Sequence, residues 1–335
     1  MSFVTDKQTL ADLNLLGKYK EGSMFNLFNR VKTRGGELLM EEMFRSPLTN
    51  AAAINDRVAR IKYLQQIGVQ LDINSELTET ATQYLSENRP SNYFFSIFQV
   101  CKEKMQEMMY SSEKYYLHQK NIQAIVEVLQ AAGSLSEQLE NKKLSHNPCS
   151  DMQERLEKIV SAESLRGLES KHPYTLKEMV QYHYLFLNKH RHELEELLQL
   201  IHQFDVFVSV AYIAEQKKLN YAQASDKQNG ELLKVENLRH PSLLNAKGNS
   251  ITLATEENVL FLTGANMAGK STWMKTLGIS FYLAHMGFPV AADKMRFSVM
   301  EGIFTSINVP DDISQGWSHF YAEVMRVKLV AKEVS

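Results

Sequence analysis

The sequence predicts a mainly α-helical N-terminal domain, residues 1–225, followed by a partial α/β P-loop NTPase domain, residues 226–335. Apolar residues recur at helical spacing through most of residues 9–220, where glycine is sparse. Residues 220–230 are polar, and strand-like segments follow them. A phosphate-binding motif of the form G-x-x-x-x-G-K-[ST] occupies residues 264–271.

The composition is that of a globular chain without a dominant charge. Of the 335 residues, 44% are hydrophobic and 23% are charged, and the net charge is −2. This charge gives no global attraction to nucleic acid, so a DNA contact must come from a local basic patch. The two cysteines, Cys101 and Cys149, have no metal-ligand spacing, and neither a signal peptide nor an apolar run of membrane-spanning length is evident. We therefore expect a cytoplasmic protein outside the membrane.

Capping residues and prolines divide the N-terminal domain into helices. The residue before a proline is driven out of the helical region, so a helix ends at Ser46-Pro47, and Thr49-Asn50 offers a cap for the next one. The predicted helices begin near Ser23 and near Gly36 and then cover Ala51–Gln66, Asp72–Leu85, Ser91–Leu139, Asp151–Val160, Leu176–Lys189 and His190–Lys218.

Side chains within these helices are predicted to be structural. Methionine and aromatic residues at helical spacing are usually core, and within residues 91–139 we expect core positions at Phe98, Met105, Met109, Tyr116, Ile125, Val128 and Leu129. His183 and His190 are expected on helix faces, and no histidine pair has the spacing of a zinc site. The basic cluster at residues 189–192 is interpreted as a solvated helix end rather than a DNA contact.

The context of the phosphate-binding motif is a predicted strand, loop and helix. Strands are expected at Glu231–Asn237 and Ser250–Ala254, and a buried strand at Asn258–Thr263 directly precedes the motif. A helix, Ser271–His285, follows it. The alternative is an ordinary turn that happens to contain a lysine, which this context disfavours.

The motif indicates phosphate chemistry. Glycines let the backbone turn sharply around an anion, successive N–H groups point inward, and the following helix adds its positive end. Lys270 would reach the β- and γ-phosphates of ATP or ADP, and the Ser271 hydroxyl would hold Mg²⁺. The predicted nucleotide-binding residues are Gly264, Ala265, Asn266, Met267, Ala268, Gly269, Lys270, Ser271, Thr272 and, from a neighbouring segment, His240.

Several stretches in sequence order resemble the MutS family of DNA mismatch-repair ATPases. Asn-Met within the loop is distinctive of that family, and residues 237–241 are similar to its Arg-His-Pro segment. Residues 303–323 are similar to its signature loop and following helix, and residues 204–211 resemble the end of the lever helix that feeds its ATPase domain. Residues 27–48 are similar to the opening of its helical core.

The resemblance implies a homodimer that shares its nucleotides. One subunit would offer the phosphate loop and the other the signature serine, here Ser318, to the γ-phosphate; a plain helix N-cap is the alternative role for Ser318. Nucleotide binding would then move helical levers that act on DNA, with repair proteins as further partners. His240 would lie near the base or simply end a strand, and Asn266 would face the phosphates or form a turn.

Departures from the family pattern limit the expected activity. The mismatch-reading domain and its wedge motif are not found, so no mismatch preference is expected. The chain ends at Ser335, before the strand whose Asp-Glu pair supports Mg²⁺ and the attacking water, so we expect turnover near background. The alternatives are a nucleotide-binding module without hydrolysis, a helical interaction module, or an unrelated P-loop ATPase, which the Asn-Met loop disfavours.

Overall fold

The structure, a computed structural model, describes residues 3–17, 22–87, 92–226, 230–243, 245–307 and 319–334; for residues 319–323 and 334 it describes only the backbone. The chain forms two compact units. The first comprises Met1–Asn29, Met40–Lys62 and Val210–Ser335, and the second comprises Arg30–Leu39 and Tyr63–Ser209. The division of the chain at residue 225 stays a prediction.

Helices dominate the described residues. In chain order they are α1 (Lys7–Asp12), α2 (Met24–Phe28), α3 (Arg34–Arg45), α4 (Ala51–Ile67), α5 (Ser75–Leu85), α6 (Tyr93–Tyr110), α7 (Lys114–Asn141), α8 (Ser150–Val160), α9 (Leu176–Tyr184), a π-helical turn (Leu185–Lys189), α10 (Arg191–Gln216), α11 (Lys270–His285) and α12 (His319–Val334).

Several helices begin where a local cap dictates. The Ser23 hydroxyl accepts a hydrogen bond from the N–H of Asn26, and the Asn50 side chain accepts one from the N–H of Ala53 at 2.9 Å. Thr175 and Glu178 form a capping box at the start of α9. The predicted starts near Ser23 and Ala51 are thereby confirmed.

The second unit is built around α7, which packs against α5, α6, α8 and α9. Its core includes Ile122, Val126 and Leu129, all buried. A polar chain runs through this core: the Tyr84 hydroxyl lies 3.2 Å from Nε2 of His118 and 2.9 Å from Nδ1 of His183. His183, expected on a helix face, is completely buried, because the Tyr84 hydroxyl satisfies its Nδ1 and the side-chain oxygen of Gln99, at 3.2 Å, satisfies its Nε2.

Two segments that are far apart in sequence join within this second unit. The Asp205 carboxylate on α10 accepts hydrogen bonds from the N–H groups of Lys32 and Thr33 and from the Thr33 hydroxyl. The Ser209 hydroxyl accepts another from the N–H of Arg30 at 2.8 Å. The end of the long helix α10 thus holds the backbone that leads into α3.

The first unit combines helices with a four-stranded sheet. Its strands, β1 (Gln223–Ser225), β2 (Glu231–Leu238), β3 (Asn249–Ala254) and β4 (Lys294–Ser298), lie in the order β1-β4-β2-β3. β1 and β4 are parallel, whereas β2 is antiparallel to both of its neighbours. Nearby, Phe288 packs edge-on against Phe28 and Phe44. The mixed sheet confirms strands at 231–238 and 249–254; β1 and β4 were not predicted.

Three expectations from the sequence are wrong. Residues 258–263 form no strand, and Val259 and Phe261 are exposed, because no described strand offers partners for their backbone groups. The predicted helix 91–139 is interrupted after α6, where Ser111 is left-handed. Of the core positions predicted in residues 91–139, Phe98, Met105, Met109 and Tyr116 are exposed, whereas Ile125, Val128 and Leu129 are buried as predicted.

One helix meets the criteria of length and composition for a membrane span, contrary to expectation. Residues Arg191–Gln216 of α10 are long and apolar enough, yet 72% of the most apolar window is buried inside the protein. Burial of this kind is typical of the core helix of a globular protein.

Candidate nucleotide-binding site

The phosphate-binding motif forms a tight loop at the start of a helix. α11 begins at Lys270, and the residue before it, Gly269, has a φ of 89°, a left-handed conformation that glycine adopts without steric cost. Gly264, at the other end of the loop, also has a positive φ, 155°. The loop-to-helix half of the predicted corner is therefore confirmed, whereas the preceding strand is absent.

The first turn of α11 presents unpaired backbone donors. Its first helical hydrogen bond runs from the N–H of Trp273 to the carbonyl of Gly269, at 2.9 Å. The N–H groups of Lys270, Ser271 and Thr272 consequently have no acceptor within the helix, and the N-cap residue, Gly269, has no side chain to cap them. Such donors, together with the positive end of the helix, form a ready site for an anion.

The Lys270 side chain folds back over the loop. Its ammonium donates hydrogen bonds to the carbonyls of Gly264 at 2.6 Å and of Ala265 at 2.8 Å. An ammonium has three donors, so this geometry leaves one for a further acceptor. The lysine thereby places its positive charge inside the loop.

Among the central residues of the loop, Met267 rather than either alanine takes a left-handed conformation. Neither Ala265 nor Ala268 has a positive φ, which is the condition under which alanine is tolerated at these positions. Met267 takes the left-handed conformation instead, with a φ of 63°, and its side chain is fully exposed. Left-handed residues within such a loop turn successive N–H groups towards one point, as an anion nest requires.

A cleft of about 310 Å³ opens beside the loop. It is lined by residues of the loop and its flanks, and also by residues of β3 and α11: Leu260, Leu262, Thr263, Ala268, Gly269, Lys270, Asn249, Ser250, Ile251 and Trp273. Sequence reasoning missed the contribution of β3 to this lining, because strand pairing places residues 249–251 there and no local pattern records it.

The remaining predicted site residues lie in various places. Ser271 and Thr272 are exposed in the first turn of α11, and Asn266 lies in the exposed turn of the loop. His240 follows β2, accepts a hydrogen bond from the N–H of Ser242, and is not among the residues that line the cleft. Burial and the charge of Lys275 lower the pKa of His240. Ser318 and the rest of residues 308–318 lie outside the described residues.

The helix after the signature loop is fixed by an ion pair that the sequence did not reveal. Arg326 of α12 is buried, pairs with the Asp6 carboxylate and donates to the carbonyl of Thr305 at 2.7 Å. Although burial alone raises the pKa of Asp6, hydrogen bonds from Arg326 and Thr9 lower it to about 2. α12 is thus anchored to the N-terminal segment of the same unit.

The basic cluster at residues 189–192 is engaged within the chain. Nε2 of His190 lies 2.6 Å from the hydroxyl of Ser164, and Nε of Arg191 lies 2.9 Å from the Glu195 carboxylate. These contacts agree with the interpretation of this cluster as a helix end.

Family comparisons cover most of the chain. The family model described as MutS domain III matches residues 8–211, and the one described as MutS domain V matches residues 260–335. The second match includes the whole loop and α11. The order of the matches is that of the two predicted domains.

Three similar curated proteins are all named DNA mismatch repair protein MutS. The DNA mismatch repair protein MutS of Clostridioides difficile is 31% identical over 193 residues, which cover 55% of this chain and 19% of that protein. Its counterpart in Streptococcus agalactiae is 35% identical over 149 residues, covering 42% of this chain and 17% of the relative. The counterpart in Fusobacterium nucleatum is 32% identical over 184 residues, covering 53% and 19%. The matched part is thus less than a fifth of the length of these relatives.

Proposed function

Because this chain belongs to the MutS family, we propose that it is a nucleotide-binding component of DNA mismatch repair. In this proposal the loop at residues 264–272 binds ATP or ADP with Mg²⁺, and the nucleotide state is passed to the helical region, which acts on DNA. One observation carries the proposal: a left-handed Gly269 and the ammonium of Lys270 frame unpaired N–H groups at the start of α11.

Nucleotide phosphates would replace the loop carbonyls as hydrogen-bond acceptors for the Lys270 ammonium. The ammonium is held by two neutral carbonyl oxygens, and a phosphate oxygen is a stronger acceptor because it is charged. The N–H groups of the first turn would share the β-phosphate, while the Ser271 hydroxyl would hold Mg²⁺. The cleft beside the loop offers room for the remainder of the nucleotide.

We further propose that two copies meet through the ATPase domain, so that Ser318 of one copy reaches the γ-phosphate bound by the other. The support for this step is the family resemblance of the signature segment. The anchoring of α12 by Arg326 agrees with it, since a helix that presents a residue to another subunit must be held in place. A cytoplasmic location and contacts with other repair proteins belong to the same proposal.

Nucleotide titration tests the proposal most directly. A fluorescent ATP analogue is titrated with Mg²⁺ into the chain and into Lys270→Ala, with Lys294→Ala as the matched control. Lys294 lies in the same unit and is largely exposed, with only a 3.8 Å ion pair to Glu236. We expect the affinity to fall at least tenfold for Lys270→Ala and to stay unchanged for Lys294→Ala. Equal affinity in all three proteins would remove the loop from the proposal.

Three further measurements define the activity. Ser271→Ala should weaken binding in Mg²⁺ but not in EDTA, because the hydroxyl acts through the metal. Steady-state turnover separates an ATPase from a module that binds without hydrolysis. Titration of mismatched and matched duplexes across a salt series tests the DNA step, for which we expect a salt-dependent affinity without mismatch preference.

A second function, a helical interaction module without nucleotide, is favoured by one specific observation. The loop carbonyls already satisfy the Lys270 ammonium in part, and residues 259–262 beside it are exposed rather than paired in a sheet. In this alternative the loop has a structural role only and binds no nucleotide. Absence of nucleotide binding under all conditions would favour this alternative.

A further inference from the structure

Helix α6 carries a large apolar face that is exposed. Its inner face, with Ser96 and Val100 buried, packs against α7 and α9. Its outer face carries Phe94, Phe98, Cys101, Met105 and Met108, all of which are exposed. A soluble protein seldom exposes a contiguous apolar patch outside an interaction site, so the exposure of this outer face demands an explanation.

The outer side chains follow the repeat of a helix-pairing seam. Successive members are four, three, four and three residues apart, which is the spacing of the a and d positions in a coiled coil. Phe94 is 77% exposed, Phe98 66%, Met105 55% and Met108 80%. Such a repeat provides knobs for the holes of another helix, whereas a nucleic acid or a lipid surface has no need of it.

We propose that this seam is a homodimer interface, in which α6 of one chain packs against α6 of a second copy. The seam contains no charged residue, so self-pairing brings no like charges into its centre. Phe95 and Met109 flank it and are also exposed. Taking about 200 Å² for each large side chain, the exposed parts of these six residues, Phe94, Phe95, Phe98, Met105, Met108 and Met109, offer on the order of 800 Å² per copy, which is what a stable interface needs.

Twofold symmetry would bring the Cys101 side chains of the two copies close together. A twofold interface pairs the same surface on both copies, so the centre of the seam lies near the axis. Cys101 is the central member of the seam, and the two Cys101 thiols therefore approach each other whatever the crossing angle. Lys102 lies at the edge of the seam and is exposed, so its long side chain can turn towards solvent.

This dimer goes beyond the proposed function and does not depend on it. The interface proposed for nucleotide sharing uses the unit that contains residues 264–272, whereas α6 belongs to the other unit. Loss of nucleotide binding in Lys270→Ala would leave the α6 dimer intact. Loss of the α6 dimer would leave nucleotide affinity intact, so the two proposals fail separately.

The first experiment measures the mass of the full chain by sedimentation equilibrium, without nucleotide, over a concentration series. We expect a monomer–dimer equilibrium that Phe98→Asp weakens at least 100-fold, while Leu243→Asp, a change at an exposed apolar residue elsewhere, leaves it unchanged. Both substituted side chains are exposed, and circular dichroism checks that each variant is folded. A monomer at all concentrations, or a dimer indifferent to Phe98→Asp, overturns the proposal.

The second experiment uses Cys101 as a proximity probe. Cys149 is buried, so a short bismaleimide should react at Cys101 and produce a covalent dimer that Cys101→Ser abolishes. A control chain that carries Cys101→Ser and Lys120→Cys has an exposed cysteine on α7, and it should give no covalent dimer. Equal cross-linking of the control and the natural chain would mean random collision and would overturn the inference.

The salt dependence of association distinguishes a second copy of the chain from nucleic acid as the partner of the seam. Association through apolar side chains, with Lys102 at the edge of the seam, should strengthen or stay constant as NaCl rises, because screening reduces any repulsion between the lysines of the two copies. DNA binding weakens steeply over the same range. A chain that stays monomeric, and whose affinity for duplex DNA falls in Phe98→Asp, would assign the seam to DNA instead and refute the homodimer.

Discussion

Asp205 offers the sharpest test of how the second unit is held together. Its carboxylate is 3% exposed and lies 2.8 Å from the N–H of Thr33, 2.7 Å from the Thr33 hydroxyl and 3.0 Å from the N–H of Lys32. These donors belong to the segment just before α3, and the Thr33 hydroxyl in turn accepts from the N–H of Gly36. Asp205→Ala would remove the acceptor of all three donors at once.

The magnitude follows from the number of donors left without a partner. A buried polar group that loses its partner costs about 1–3 kcal/mol, and three donors, of which only those of Thr33 are fully buried, amount to about 4 kcal/mol. Asp205→Asn, with its oxygen at the Oδ2 position, keeps the two bonds from Thr33, but its NH₂ group then faces the N–H of Lys32, which lies 3.0 Å from Oδ1. Burial raises the pKa of Asp205, with hydrogen bonds from Lys32 and Thr33 opposing it, so the amide also avoids part of the cost of burying a charge. We therefore expect Asn to cost about 1–2 kcal/mol.

Urea unfolding, followed by circular dichroism, measures the free energy of unfolding for each variant. Hydrogen exchange of the amides in residues 34–45 reports whether the loss is local to α3. Glu215→Ala, at an exposed acidic residue near the end of the same helix α10, serves as the control and should change stability by less than about 0.5 kcal/mol. If Asp205→Ala were as stable as this control, the carboxylate would not hold α3, and the argument from orphaned donors would be wrong.

Further predictions concern two glycines and two histidines. A Cβ on Gly36 would lie 2.7 Å from Oδ2 of Asp205, so Gly36→Ala should destabilise the protein by about 1–3 kcal/mol. Gly133 lies within α7 and has open space around it, so Gly133→Ala should stabilise the protein by about 0.5–1 kcal/mol in the same urea assay. Effects of the opposite sign would contradict the packing argument. Burial lowers the pKa of His183 and of His285 to about 4, from 6.5. Since the unfolded chain then binds the extra protons, stability is complete above pH 6.5 and falls between pH 6.5 and 4, by about 3 kcal/mol for each histidine. His→Gln variants should flatten this part of the stability profile, and an unchanged slope would show that the two rings do not titrate as described.

Local signals account for the part of the fold that the sequence predicted. A cap or a proline acts within four residues, and the helix starts near Ser23 and Ala51 follow directly from Ser23 and Asn50. The positive φ of Gly269 is local in the same sense, because only a small set of residues tolerates that conformation. The loop and the start of α11 were predictable for this reason.

Features that depend on distant partners were not predictable. β1 has only three residues and exists because it pairs in parallel with β4, about seventy residues later. The lining of the cleft contributed by Asn249 and Ser250 depends on the same kind of long-range pairing. Burial of His183 required knowledge that Tyr84 would lie beside it. No pattern within a short window contains this information.

Two wrong expectations share one physical cause. The apolar run at residues 259–262 and the outer face of α6 both have the composition of covered surface, and both are exposed in the described part of the chain. Apolar composition states that water should be excluded from a surface, but it does not identify the neighbour that excludes it. The two stretches differ in what they specify about that neighbour. The run at 259–262 has no repeat beyond its apolarity, whereas the spacing on α6 defines a groove for another helix. A misassigned core residue such as Phe98 is therefore informative. Its helical spacing was predicted correctly, but the described part of the chain does not cover its side chain.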